Sequence, residues 1–360
     1  MAKHSSFRLY SFKDRFKQNR YSLAAKLRGH LGAVLCLSAT EDGSLLASGG
    51  IDGLAAGSHG ATTAVTWVSC SDDPDDAVFF GTQSGSLVCW RQLPGTSNTT
   101  AFEEKFDMLL AGSSEITDIV FDNTTSQLAV CNRTGAVQLY SINGDMRLDV
   151  LFSIAMQEMV PRNIAFCRGG DRKLLVFSMY NGAVHELHSD GTSHCLVEGA
   201  GTIGSAAVDI VKSRYVIDDP SQGIALFCLD GGRLKTFPIK ETKGWRPRQV
   251  AFADACRDVV SGSDHGVVYV FDRRSGETLD ELTVGSDSWV QTVSTIECQA
   301  HSSIVAAQSG NVEGKNDIYI WTKRNTEQHR REDGLACGYL QKLLQIIMIA
   351  ATVAFIVQNG

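Results

Sequence analysis

One run of residues in this chain has the types and spacing of a dinucleotide site. Gly199-Ala200-Gly201-Thr202-Ile203-Gly204 fits G-x-G-x-x-G, follows the apolar stretch Ser193–Val197, and has Asp218 19 residues after its first glycine. In such a site the glycines form a tight turn against a pyrophosphate and the acid takes a ribose hydroxyl. The setting argues otherwise. Ala206–Val211 would have to be the helix, yet the next apolar stretch begins at Arg214, only ten positions after Gly204. No alternation of strand and helix surrounds it. A second candidate is the acid run Asp72-Asp73-Pro74-Asp75-Asp76, whose oxygens suit weak holding of a hard cation. A solvated turn is the plainer reading. No Walker loop, H-E-x-x-H, G-x-S-x-G or Cys–His nucleophile pattern occurs in the sequence. The ten cysteines stand singly, at 36, 70, 89, 131, 167, 195, 228, 256, 298 and 337, without C-x-x-C or metal-ligand spacing. Most lie in apolar stretches, where a free thiol behaves as a small hydrophobe in a reducing compartment. These residues call for no catalytic group, no metal and no cofactor.

The elements that carry them follow a repeat. A short apolar strand, a small-residue strand, a Gly-containing turn and a strand with a bulky anchor recur about seven times. The anchors Trp90, Tyr140, Leu187, Phe227, Phe271 and Trp321 are spaced by 50, 47, 40, 44 and 50 residues. Four strands per unit at this period mark an all-β, seven-bladed β-propeller. Abundant Gly (34) and scarce Pro (6) suit many tight hairpins. In this register Ala206–Val211 is the first strand of a blade and the G-x-G-x-x-G run is an inter-blade loop. Pro161–Phe166 and Pro247–Phe252 nearly match each other, and Ile116–Phe121 and Ala64–Val68 fill the same slot. These four read as innermost strands.

Tyr21–Leu27, then Gly29-His30, a hydrophobic strand, and Ser48-Gly49-Gly50-Ile51-Asp52-Gly53 resemble the WD-repeat family. The resemblance covers roughly residues 21–323. Its motifs are degenerate: there is no Trp-Asp dipeptide, and Phe271-Asp272 is the nearest substitute. The resemblance implies that the first strand of the chain completes the last blade, so Tyr21–Leu27 pairs beside the strand ending at Trp321. It implies a structural network of His30 with Ser48 and Asp52. It also implies that the loops leading into the innermost strands form the narrow face around the channel mouth. Those loops offer Arg162, Trp245, Arg246, Arg248 and Trp289, residue types enriched in interface hot spots. Arg162 and Arg248 occupy equivalent ring positions, suited either to gripping an acidic peptide or phosphate or to pairing with a neighbouring acid.

Two departures stand out. After Asp52-Gly53 the third and fourth strands of the first blade are missing, because Leu54–Gly60 is a small-residue link. The first blade is therefore expected to be incomplete. At the other end, residues 335–360 follow a basic linker, 324–334, and are strongly apolar. Leu343, Leu344, Ile346, Ile347, Ile349, Val353, Phe355, Ile356 and Val357 run all round a helix rather than along one stripe. Such a helix suits a membrane span with the propeller held on the cytosolic side by the preceding basic residues, as in a tail anchor. A helix docked on the propeller is the other reading.

Charge sorts the partners. Residues 1–30 hold eight Lys or Arg and one acid; the rest hold 25 basic and 39 acidic residues. The basic flexible arm 1–20 suits anionic surfaces, or is simply solvated. The acidic body excludes general nucleic-acid binding. No apolar signal segment is read at the N-terminus. The expected protein is a non-catalytic protein–protein interaction scaffold, cytoplasmic and membrane-anchored, or soluble in the cytosol. The alternative is a propeller binding a small ligand or a phosphorylated or acidic peptide in its central channel.

Overall fold

The computed structural model describes residues 19–52, 60–69, 76–93, 102–167, 173–188, 190–199, 201–240, 244, 246–285, 288–298, 301–310 and 316–324. Trp245, Asp72–Asp75 and all of 325–360 lie outside the described residues, so the expected C-terminal helix does too.

All 26 described elements are strands. The chain opens with β1 (Ser22–Leu27), β2 (Val34–Ala39) and β3 (Leu46–Gly50). Four-strand sheets follow in sequence order. The first holds β4 (Thr62–Val68), β5 (Ala77–Thr82), β6 (Ser86–Gln92) and β7 (Phe102–Leu109). The second holds β8 (Ile116–Asp122), β9 (Gln127–Asn132), β10 (Ala136–Ile142) and β11 (Leu148–Ala155). The third holds β12 (Pro161–Phe166), β13 (Leu174–Ser178), β14 (Val184–Leu187) and β15 (Ser193–Val197). The fourth holds β16 (Ser205–Asp209), β17 (Arg214–Asp219), β18 (Gly223–Cys228) and β19 (Arg233–Phe237). The fifth holds β20 (Val250–Ala253), β21 (Asp258–Ser261), β22 (Val267–Asp272) and β23 (Thr278–Thr283). The sixth is completed by the first strand of the chain: β24 (Val290–Glu297), β25 (His301–Gln308), β26 (Ile318–Arg324), then β1.

These are six blades of a β-propeller. The expected pairing at the closing sheet is present: Ser22 lies opposite Thr322, Leu23 opposite Trp321 and Leu27 opposite Ile318. Among the described residues there is also a two-stranded sheet, β2–β3, with Val34 opposite Gly50. Only these two strands are described between Leu31 and Gly60; residues 53–59, on which the expected gap in the first blade falls, lie outside the described residues. The leading strands touch in a closed circuit, β2–β4–β8–β12–β16–β20–β24 and back to β2. The four segments read as innermost lie on this circuit.

Burial explains the strand grammar. The second strands β5, β9, β13 and β21 are buried along their whole length and are built mainly of apolar or small residues. The outer strands β7, β11 and β15 are mostly exposed and carry their charges outward. The core is distributed between blades rather than gathered at the centre. Phe79, Leu87, Ile116 and Leu128 fill one junction; Val137, Leu139, Ile164 and Val176 fill the next. Each blade therefore buries one face against its predecessor and one against its successor, and neither face is sealed unless the circuit closes.

Polar side chains also tie neighbouring leading strands together. Thr63 Oγ1 donates to Ile116 O (2.7 Å). Asp118 Oδ2 accepts from Ile164 N–H (3.0 Å) and Asn163 Oδ1 from Ala206 N–H (2.9 Å). Ser205 Oγ accepts from Val250 N–H (3.4 Å) and Gln249 Oε1 from Val293 N–H (3.1 Å). Thr292 Oγ1 donates to Val34 O (2.9 Å), and Trp67 Nε1 donates to Ser38 O (3.0 Å). Every junction of the circuit carries at least one such bond. Together they satisfy backbone groups that a strand pair within one blade leaves unpaired.

Candidate functional site

The G-x-G-x-x-G run is a packing device. It joins β15 to β16, and Ser205–Asp209 is a strand, so no helix N-terminus faces the glycines. A Cβ on Gly199 would lie 2.0 Å from Gly182 C, one on Gly201 2.7 Å from Asp219 Oδ2, and one on Gly204 2.8 Å from Asp218 Oδ2. Close approach of two blades requires the glycines. A cleft of about 280 Å³ opens beside them, between Val197, Ile217 and Phe227. The Asp219 carboxylate next to Gly201 makes it hostile to a phosphate.

His30 forms the network that the family resemblance implied. Its Nδ1 lies 2.9 Å from Asp52 Oδ2 and its Nε2 2.8 Å from Ser48 Oγ. Asp52 Oδ2 also accepts from Leu31 N–H (3.0 Å). Asp52 Oδ1 is buried without a partner, consistent with a network short of one member. It braces the β2–β3 sheet. Among the described residues no three His, Cys, Asp or Glu side chains already stand around one point as metal ligands.

The two equivalent arginines have different fates. Arg248, at the start of β20, is 3% exposed. Its Nε and Nη2 donate to Asp218 Oδ1 (3.0 and 2.7 Å), and its own N–H donates to Asp218 Oδ2 (2.8 Å). This is the pairing alternative of the two open at the sequence level. Burial pushes the Asp218 carboxyl upward, and the guanidinium pulls it back. Arg162, on β12, has no such acid. The position matching Asp218 in the preceding blade is Asn132, which lies opposite Ile116 as Asp218 lies opposite Ser205. Arg162 Nε instead donates to Gly204 O (2.6 Å). Burial holds its pKa below the usual arginine value, against the pull of Asp118 and Glu115. No salt bridge reaches it among the described residues.

Arg246 and Trp289 form the most exposed pair of the set. Both precede innermost strands, β20 and β24. The Arg246 guanidinium carbon sits 5.1 Å from the centre of the Trp289 ring, a cation–π stack. Arg246 is solvent-exposed. The Trp289 indole N–H is shielded from water and has no acceptor. Sequence reasoning named both residues but had no signal for the stack or the orphan donor. The exposed guanidinium, held in place by the ring beneath it, offers a fixed charge to one anionic or carbonyl group.

The comparisons with known proteins can now be set beside this geometry. Residues 21–55 match the family model for the WD domain, G-beta repeat (WD40). That stretch contains β1, the His30 network and the whole β2–β3 sheet. No curated protein matches the chain.

Proposed function

Taking the chain as a WD-repeat β-propeller, we propose that it is a non-catalytic protein-interaction scaffold. Its docking surface is the set of loops leading into the innermost strands, and it takes an acidic or phosphorylated segment of a partner. The observation that carries this reading is Arg246, exposed and stacked on Trp289. Such an anchor is rigid before binding, so little side-chain entropy is lost on contact. Arg162 adds a second cation two blades away, free of any salt bridge among the described residues. Arg248 belongs to the scaffold rather than the surface. The β2–β3 sheet takes the seventh place in the ring as a half-built blade. The apolar residues 335–360 anchor this scaffold to a membrane with the propeller on the cytosolic side.

The test of the docking surface is a titration of the full chain with a synthetic acidic peptide and its phosphorylated form, read by tryptophan fluorescence. Arg246→Ala and Trp289→Phe are each expected to weaken binding about tenfold, the equivalent of about 1.4 kcal/mol. Saturable binding that neither substitution changes would refute the assignment. The anchor is tested by alkaline extraction of membranes. Full-length protein should stay in the pellet, and a chain ending at Gly334 should not.

A further inference from the structure

The outer hairpin of the third complete blade concentrates metal-ligating side chains. Residues 185–195 read His-Glu-Leu-His-Ser-Asp-Gly-Thr-Ser-His-Cys, with three of the nine histidines of the chain. Strand alternation separates them by face. Glu186 and His188 share one face, and the register places His194 directly opposite Glu186. His185 and Cys195, opposite each other, lie on the reverse face, where His185 Nδ1 stands 3.3 Å from Ser193 Oγ.

The spacing on the first face is that of co-ligands. His188 Nε2 lies 3.0 Å from Glu186 Oε1. Two donors each about 2.0–2.2 Å from one tetrahedral zinc ion stand about 3.3–3.6 Å apart, so this ion pair needs to open by only a few tenths of an ångström to admit one. The His188 and His194 ring centres are 5.2 Å apart, with their planes at 80°. Two imidazoles bound through nitrogens about 2.0 Å from a tetrahedral metal have ring centres about 5 Å apart. The His188 and Glu186 side chains are 28% and 20% exposed, so an ion can reach them and keep a water. Asp190 is near enough to interact electrostatically with His188. The Lys173 ammonium donates to the same Glu186 oxygen at 2.9 Å, which puts one cation where a second would bind. The three donors are not yet gathered round a point. Closure asks the exposed His194 to swing its nitrogen toward the other two.

We propose that Glu186, His188 and His194 form a binding site for a divalent transition-metal ion such as zinc. Two imidazoles and one carboxylate suit zinc, nickel or copper rather than magnesium or calcium. The ion bridges β14 and β15 and competes with Lys173 for Glu186.

Isothermal titration of the chelator-treated full chain with zinc chloride tests this. One equivalent is expected to bind, tighter than about 100 µM, and His188→Ala and His194→Ala should each weaken it at least about tenfold. Lys173→Met should tighten it, because a competing cation is removed. A merely structural ion pair predicts no such gain. His185→Ala, on the reverse face, should leave zinc affinity unchanged and controls for the loss of any histidine from this hairpin. The proposal is overturned if the wild-type chain binds no zinc in this range. It is equally overturned if His188→Ala and His194→Ala bind as the wild type does, or if His185→Ala loses as much. Circular dichroism of each variant confirms that the blade is intact.

Discussion

Arg20 is the residue whose removal best tests how the ring is closed. It precedes β1 and reaches across to the neighbouring blade. Its Nε donates to Asp280 Oδ2 and its Nη2 to Asp258 Oδ2, both at 2.9 Å, and its own N–H donates to Asp280 Oδ1. The side chains of Asp280 and Asp258 are 0% and 3% exposed, while that of Arg20 is 33% exposed. Arg20→Ala strips two charge-assisted bonds from buried carboxylates. Such bonds are worth about 1.5–3 kcal/mol each. The exposed flank of Arg20 admits water to the space it leaves, and Asp280 keeps its backbone donor. Asp258 keeps Lys323 Nζ at 3.9 Å. The net loss is therefore about 2–3 kcal/mol, near the low end for breaking a buried pair. For a domain of this size that lowers Tm by roughly 3–5 °C. Thermal unfolding followed by circular dichroism measures it. Arg20→Lys, which keeps the charge but cannot span both acids, should lose about half as much. The closing role also requires non-additivity: Arg20→Ala should cost much less when Asp280 is already Asn. A Tm for Arg20→Ala within 1 °C of wild type, or strictly additive losses with Asp280→Asn, would refute the reasoning.

Three further outcomes follow from the same geometry. Arg248→Ala leaves Asp218 buried and uncompensated and should cost about 3–5 kcal/mol in denaturant unfolding, far more than Arg162→Ala; equal losses would contradict the placement of Arg248. Gly199→Ala should cost about 2–3 kcal/mol by forcing a methyl against Gly182, and no nicotinamide dinucleotide should bind either form. Burial pushes the Asp118 carboxyl up to about 6, despite the Ile164 and Asn163 donors. The folded state then holds this proton more tightly than the unfolded chain, so the contribution is fully present below about pH 4 and is lost as pH rises through about 6. Asp118→Asn removes this dependence, and the Tm of the variant relative to wild type should rise between pH 4.5 and 7.5; a flat difference would contradict the assignment.

The blade grammar was legible because burial imposes it directly on composition. Runs such as Leu128–Cys131 can be apolar throughout only where sheets cover both faces, and their regular return predicts the blades. The fates of Arg162 and Arg248 were not legible. Both follow a proline at the head of an innermost strand, and what separates them is Asp218 against Asn132, residues that meet them only through inter-blade packing. Arg20 was hidden differently. It ends a run of basic and polar residues, so composition assigns it to a solvated arm, while its two carboxylate partners lie more than 230 positions away. The stack of Arg246 on Trp289 depends on two loops 43 residues apart in sequence, and no local pattern announces it.

The mixed blade has a consequence for where this chain is cut. Because β1 lies antiparallel to β26, with Ser22 opposite Thr322, the two ends of the described ring are side by side. A short linker can join them, and new ends can be opened in any loop between blades without altering the spatial order of the strands. The seam is thus a property of how the strands are connected and not of the ring. Moved to the loop between β15 and β16, it would convert the present closing sheet into a covalently continuous blade. The burden of holding the circle shut would pass to a different pair of strands.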